Sequence, residues 1–246
     1  MPSLTYSEGE RMMKLIAHRG ASLVRQENSV ESLVYAARAG ASAVECDIRR
    51  MADGVYVIYH DDNLERITGR NIPVKGLTSV EMRDLLAKHH YHLTTIDEII
   101  EQYHERSPIL LHLKSPLNAE VLERIRGGGL PVIYGIFSIE NVRQLAGYAT
   151  PSQLLAFMPT YQNGMAEEFA RAGVGILRLW EQWLGDITPA ELKAKTGAEV
   201  WVMSNSETTG QNGSFESLDR FYAMGADGAL LNDIDLGMRW KSERGY

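Results

Sequence analysis

His18, Arg19, Glu45, Asp47, His60, His112 and Lys114 are the residues whose types and spacing suit chemistry. Glu45 and Asp47 lie one residue apart in the apolar, β-rich run "SAVECDI", so in a strand they share a face while Cys46 points the other way. Two carboxylates side by side on a buried face repel each other and are costly to desolvate. A divalent cation is the simplest remedy. In "LLHLKS" the same alternation puts His112 and Lys114 on one face, so Glu45, Asp47 and His112 would offer a metal two oxygens and one nitrogen, leaving positions open for water and substrate. Mixed oxygen ligation points first to Mg²⁺ or Ca²⁺, and the imidazole also admits Mn²⁺ or Zn²⁺. A protonated Lys114 beside that metal suggests an anion held between the two charges.

His18 closes the run "KLIAH" and His60 closes "VYVIYH". Two histidines flanking a metal-bound anion suit general base and general acid work near neutral pH, and Arg19 adds a bidentate anion donor. Each residue taken singly has a plainer role: Glu45 and Asp47 paired with Arg19, Lys114 or Arg49, and His112 as a satisfied core histidine. Together those roles demand too many buried charges at strand ends, and polar groups that converge in a pocket mark a site. His89, His90, His92 and His104 sit in polar surroundings and are expected to face solvent. Trp180, Trp183 and Trp201 lie near strand ends, where a ring can pack on a sugar or a cationic headgroup. Cys46 reads as a small core residue.

The elements that must position these residues follow from periodicity. Short apolar runs, "KLIAH", "SAVECDI", "PILLHLK", "LPVIYGI", "QLLAFM", "VGILRLW", "AEVWVM" and "DGALL", alternate with amphipathic segments, the pattern of repeated βα units. Eight such runs, with no Gly-rich dinucleotide fingerprint after the first, predict an α/β fold, a (β/α)8 TIM barrel spanning 1–246 as one domain. The rhythm breaks after the second strand, where about 61–93 reads as a small insertion over the end of the barrel that carries active-site loops. "NSVE" reads as a helix start, with Asn28 as cap and Glu31 at the capping-box position.

Composition limits the partners. With 246 residues, 44% hydrophobic content and a net charge of −7, the chain lacks the basic face a nucleic-acid binder needs, so no nucleic-acid partner is expected. No run has the length of a membrane span, and "MPSLTYSEGERMMK" lacks the apolar core of a secretion signal, so no membrane partner and a cytoplasmic location are expected. Cys46, the only cysteine, fits a reducing compartment. The sequence carries no signal of oligomeric state.

These residues resemble a known family. "AHRGAS", "ENSVES", "VECDIR", "HDDNLERITG", "LHLKS" and "MGADGALLND" are similar to the motifs of glycerophosphodiester phosphodiesterases, over a stretch from about residue 14 to the end. The resemblance implies a metal-dependent (β/α)8 barrel with a small insertion after the second strand. It implies His18 and His60 as the acid/base pair, Arg19 and Lys114 as phosphate ligands and Glu45 and Asp47 as metal ligands. The reaction implied is cleavage of a small-molecule phosphodiester, a glycerophosphodiester, into glycerol 3-phosphate and an alcohol. This chain departs from the pattern where His112 replaces a customary Glu, where "VWVMSN" replaces a Trp-Thr pair, leaving Met203 or Trp201 as the substrate-facing group, and where Phe137-Ser138 keeps part of the usual motif. These departures lie in the substrate half of the pocket and leave open a sugar phosphodiester as substrate. Two readings of other classes stay beside it: a phosphate-ester-binding barrel without turnover, and a metal-dependent barrel lyase or isomerase.

Overall fold

Each of the eight apolar runs becomes a strand, and one further strand joins them. The structure is a computed structural model, and it describes residues 12–162 and 164–245. The strands are β1 (Lys14–Ala17), β2 (Ala43–Arg50), β3 (Tyr56–Ile58), β4 (Ile109–Leu113), β5 (Val132–Ile136), β6 (Leu154–Ala156), β7 (Ile176–Trp180), β8 (Glu199–Met203) and β9 (Gly228–Leu231). All but β3 are parallel and run round in the order β1, β2, β4, β5, β6, β7, β8, β9, and pairing of β9 with β1 closes the (β/α)8 barrel. The register sets Asp47 of β2 beside His112 of β4.

The strands are apolar throughout because both faces are covered. Ile16, Leu110, Leu155, Ile176, Trp201 and Leu230 pack inside the barrel. Val44, Leu111, Leu177, Val200 and Val202 pack outward, together with Cys46, which is buried and free, as expected of a core residue. Parity therefore decides which polar side chains reach the barrel's axis: those in step with the inner set, including Glu45, Asp47 and His112.

β3 is antiparallel to the end of β2, with Ile48 opposite Ile58. The excursion from the barrel begins at this hairpin. It has a core of its own, including Met51, Val57, Tyr59, Leu64, Met82 and Leu86, which lets it stand over the barrel mouth as a packed unit. The first helix, Val30–Ala39, differs from expectation at its start. Ser29 is the cap and Ser32 completes the capping box. Asn28 does not cap, because its φ of 57° puts it in the left-handed region and its side chain is engaged elsewhere. Among the described residues no helix is long and apolar enough to cross a membrane. Residues 1–11, on which the absence of a secretion signal was read, lie outside the described residues.

Candidate active site

β1 delivers His18 and then reverses sharply. Arg19 and Gly20 both have positive φ, 59° and 75°. A Cβ at Gly20 would lie 2.4 Å from Ser32 Oγ and 2.7 Å from the Ser32 carbonyl carbon, so only glycine lets the turn pass this close to the first helix. The reversal aims the Arg19 backbone N–H at Glu45, donating to Oε2 at 2.9 Å.

Glu45 and Asp47 are fully buried on β2, and His112 is 8% exposed on β4. One ligand atom from each of the three lies within 4.8 Å of the others. Asp47 Oδ1 is 2.9 Å from His112 Nδ1 and 3.2 Å from Lys114 Nζ, although neither approach is aligned as a hydrogen bond. Arg19 Nε stands 3.8 Å from Asp47 Oδ2. Asn28 clamps the same residue twice: its Nδ2 donates to Asp47 Oδ2 at 3.2 Å, and its Oδ1 accepts from the Asp47 backbone N–H at 3.1 Å. Burial alone would raise the Asp47 carboxyl, but His112, Lys114 and His60 hold it well below the usual carboxylate range. Arg49, the other cation considered for this pair, binds the carbonyls of Tyr59 and His60 and the carboxylate of Asp62 instead.

The two remaining histidines are each fixed through Nδ1. His18 Nδ1 is 2.7 Å from Asn232 Oδ1, just past β9, and Asn232 Nδ2 donates in turn to Asn212 Oδ1 at 3.2 Å. That amide orientation leaves the Nδ1 proton on His18 and frees Nε2, which stands 3.8 Å from Glu45 Oε2. Burial, reinforced by Arg19, pulls the His18 imidazole below its ordinary value despite the opposing pull of Glu45. His60 Nδ1 is 2.7 Å from Asp61 Oδ1, and Arg66 Nε donates to Asp61 Oδ2 at 2.7 Å. Arg66 also binds Glu27, which accepts from Arg19 Nη1 at 3.2 Å. This relay ties the insertion to the turn after β1. Between the insertion and the ends of β2 and β4 opens a cleft of about 570 Å³ lined by His60, Lys114, Arg49, Asp61, Asn63 and Arg66.

Trp201 does not join them. Although it faces the barrel interior, it is 1% exposed, and its Nε1 donates to Glu199 Oε2 at 3.1 Å at the start of β8, the end of the barrel opposite the site. Met203 is buried as well. The rings beside the site are Phe157, stacked on His112 with centroids 3.7 Å apart, and Phe137, at 4.8 Å.

Sequence reasoning missed Asn232, Asp61, Glu27, Arg66 and the part played by Asn28. Asp61 had a signal in its adjacency to His60, and Asn232 in its being two positions beyond the inward Leu230. The remaining contacts join distant stretches, and no local pattern announces them.

The buried atoms test whether a metal fits. Glu45 Oε1 and Asp47 Oδ1 are buried without a hydrogen-bond partner among the described residues, as is His112 Nε2. Carboxylate oxygens inside a barrel are seldom left unpaired, and two oxygens with a nitrogen at this spacing match the donor set of a divalent ion.

Comparison with known proteins places the chain among others. The glycerophosphoryl diester phosphodiesterase family model matches residues 18–132. YhdW of Bacillus subtilis (strain 168), classed by name with the glycerophosphodiester phosphodiesterases, is 30% identical over 253 residues, 91% of this chain and 96% of that protein. The crystal structure of a glycerophosphodiester phosphodiesterase from Thermotoga maritima superposes with a TM-score of 0.73 at 19% identity, covering 94% of this chain and 99% of that one. An Oleispira antarctica phosphodiesterase in complex with the product sn-glycerol-3-phosphate gives a TM-score of 0.70 at 20% identity, covering 95% and 97%.

Proposed function

The chain belongs to the glycerophosphodiester phosphodiesterase family, and from that premise we propose that it hydrolyses a glycerophosphodiester to glycerol 3-phosphate and an alcohol at the site built around Glu45, Asp47 and His112. The observation that carries this reading is the convergence on one barrel end of that buried donor set, a lysine at 3.2 Å from Asp47 and two histidines each held through Nδ1.

Glu45, Asp47 and His112 would hold a divalent ion, which when bound neutralises phosphate charge and polarises phosphorus. Arg19 and Lys114 bind the nonbridging oxygens, a bidentate fork and a point charge on the charge that grows in the transition state. His18, with Nδ1–H committed to Asn232, offers the Nε2 lone pair and accepts a proton from the attacking water, whose oxygen bonds to phosphorus as the P–O bond to the leaving alcohol breaks. His60 delivers a proton to the leaving alkoxide, and the ionised Asp61 on its Nδ1 supports the ring while it is charged. The substrate is a small molecule entering through the cleft beneath the insertion, and its products are one phosphomonoester and one alcohol.

The experiment is a phosphodiesterase assay on metal-stripped protein with glycerophosphodiesters, adding back Mg²⁺, Ca²⁺, Mn²⁺ or Zn²⁺ singly. Release of glycerol 3-phosphate that depends on metal and disappears in His18→Ala and His60→Ala is the expected result. Binding of the diesters with no turnover in any metal would replace hydrolysis with a binding role.

A further inference from the structure

Arg178 is a buried cation with no carboxylate partner among the described residues. It lies on β7 in step with the inward Ile176, is 4% exposed, and its Nε and Nη1 have no hydrogen-bond partner among the described residues. Its guanidinium carbon is instead surrounded by rings, 4.2 Å from the centroid of Trp180, 5.3 Å from Phe157 and 5.7 Å from Trp183. Buried arginines are ordinarily paired with a carboxylate, because a stripped guanidinium is costly and ring faces repay only part of the lost hydration. Burial draws the group down to about 9, and among the described residues no carboxylate opposes the shift.

Its place gives that cost a use. Trp180 ends β7 and Trp183 follows directly, so the cage lies at the strand end where the catalytic candidates gather, and both rings are partly exposed. β7 stands halfway round the barrel from β2, which carries Glu45 and Asp47. Phe157 bridges the two sides, stacked on His112 while also packing against Arg178. A diester whose phosphate sits by Lys114 and His112 would extend its alcohol half across the mouth toward Arg178.

We propose that Arg178 is a specificity-determining residue that receives an oxyanion, a carboxylate or phosphate carried by the substrate in addition to its scissile phosphodiester. The proposal rests on the phosphodiesterase reading above. The guanidinium presents free N–H donors, a planar fork suited to such a group, and the rings exclude water that would weaken the contact. Neutral and cationic alcohols leave those donors unpaired, which a site built for hydrogen bonding penalises.

The test uses esters of glycerol 3-phosphate whose alcohols are glycerol, choline, glycerate and glycerol phosphate, with wild type and Arg178→Met compared by kcat/KM, by calorimetric binding and by thermal melting. Wild type is expected to prefer a charged ester, the glycerate or the phosphate one, over the glycerol ester by about 10- to 100-fold. In Arg178→Met that ratio should collapse toward one, while the variant melts no lower, since an unpaired buried charge has been replaced by an apolar chain of similar length. The glycerate and phosphate arms tell which oxyanion is taken. An unchanged ratio, a wild-type preference for the choline or glycerol ester, or a lower melting temperature with the ratio preserved would overturn the proposal and leave Arg178 as packing. If wild type hydrolyses none of the esters, the phosphodiesterase reading fails, and calorimetry still decides on Arg178: tighter binding of the anionic esters, lost in the variant, supports it, and equal binding overturns it.

Discussion

Nδ1 of His18 lies 2.7 Å from Oδ1 of Asn232 although 214 positions separate them in the chain. The amide selects one tautomer and leaves Nε2 on the side of Glu45, so in the reaction proposed above Asn232 is a positioning residue that acts through the histidine. Asn232→Ala is expected to lower kcat by about 10- to 100-fold, a part of what a positioned acid or base contributes, with KM little changed. Asn232→Asp also accepts from Nδ1 and should restore much of that loss, but its negative charge favours imidazolium. The acid limb of the rate profile should then move to higher pH. A steady-state pH profile of the three proteins checks both statements.

Asn28 separates backbone cost from active-site bracing. It holds Asp47 by two hydrogen bonds from a left-handed φ of 57°. Asn28→Ala loses the bonds and keeps the unfavourable backbone, at a cost of about 1 to 2 kcal/mol for the conformation alone. Asn28→Gly loses the same bonds but accepts that φ freely. Urea melts should therefore rank Gly above Ala in stability, while metal titrations should show both variants weakened alike.

How far the sequence reached is clear from β2 and β4. Alternation alone put Glu45, Asp47 and His112 on one face, and the structure brings them together because the same alternation governs every strand of the barrel. It failed for Trp201, which has the inward parity but sits too low: parity gives the face of a strand and says nothing of height along the barrel axis. Asn28 was misread because a helix start and a left-handed clamp share residue preferences, and only the carboxylate brought in by β2 distinguishes them. Arg178 was overlooked since a lone arginine in an apolar run has meaning only through what fails to surround it.

The mouth of the site should carry its own pH signature. The carboxyl of Asp61 falls from 3.8 to about 2: burial would raise it, and the contacts from His60 and Arg66 outweigh that. A carboxylate depressed in the folded state adds stability that is fully present above its unfolded value and lost as pH falls through the folded one. Wild type should hence melt above Asp61→Asn at pH 6, with the difference shrinking between about pH 4 and pH 2. Calorimetric melting temperatures at stepped pH read this directly, and a constant difference across that window would contradict it.

The imidazole at position 112 should set the metal preference. His112 stands beside Asp47 where its ring stacks on Phe157, so nitrogen is offered from a fixed plane rather than from a mobile carboxylate. Imidazole favours Mn²⁺ or Zn²⁺ over Mg²⁺ and Ca²⁺ more than a third oxygen would. His112→Glu should therefore shift relative affinity toward Mg²⁺ and Ca²⁺ by about tenfold, and His112→Ala, left with two carboxylates, should lose about 100-fold or more for every ion. Lys114 Nζ, 3.2 Å from Asp47 Oδ1, offsets part of the carboxylate charge when no ion is bound, so metal removal should lower the melting temperature without unfolding the barrel. Isothermal titration of stripped protein with each ion supplies the affinities. Equal Mn²⁺-to-Mg²⁺ ratios for the native and His112→Glu proteins would mean that the imidazole is no ligand and serves to hold Asp47 in place.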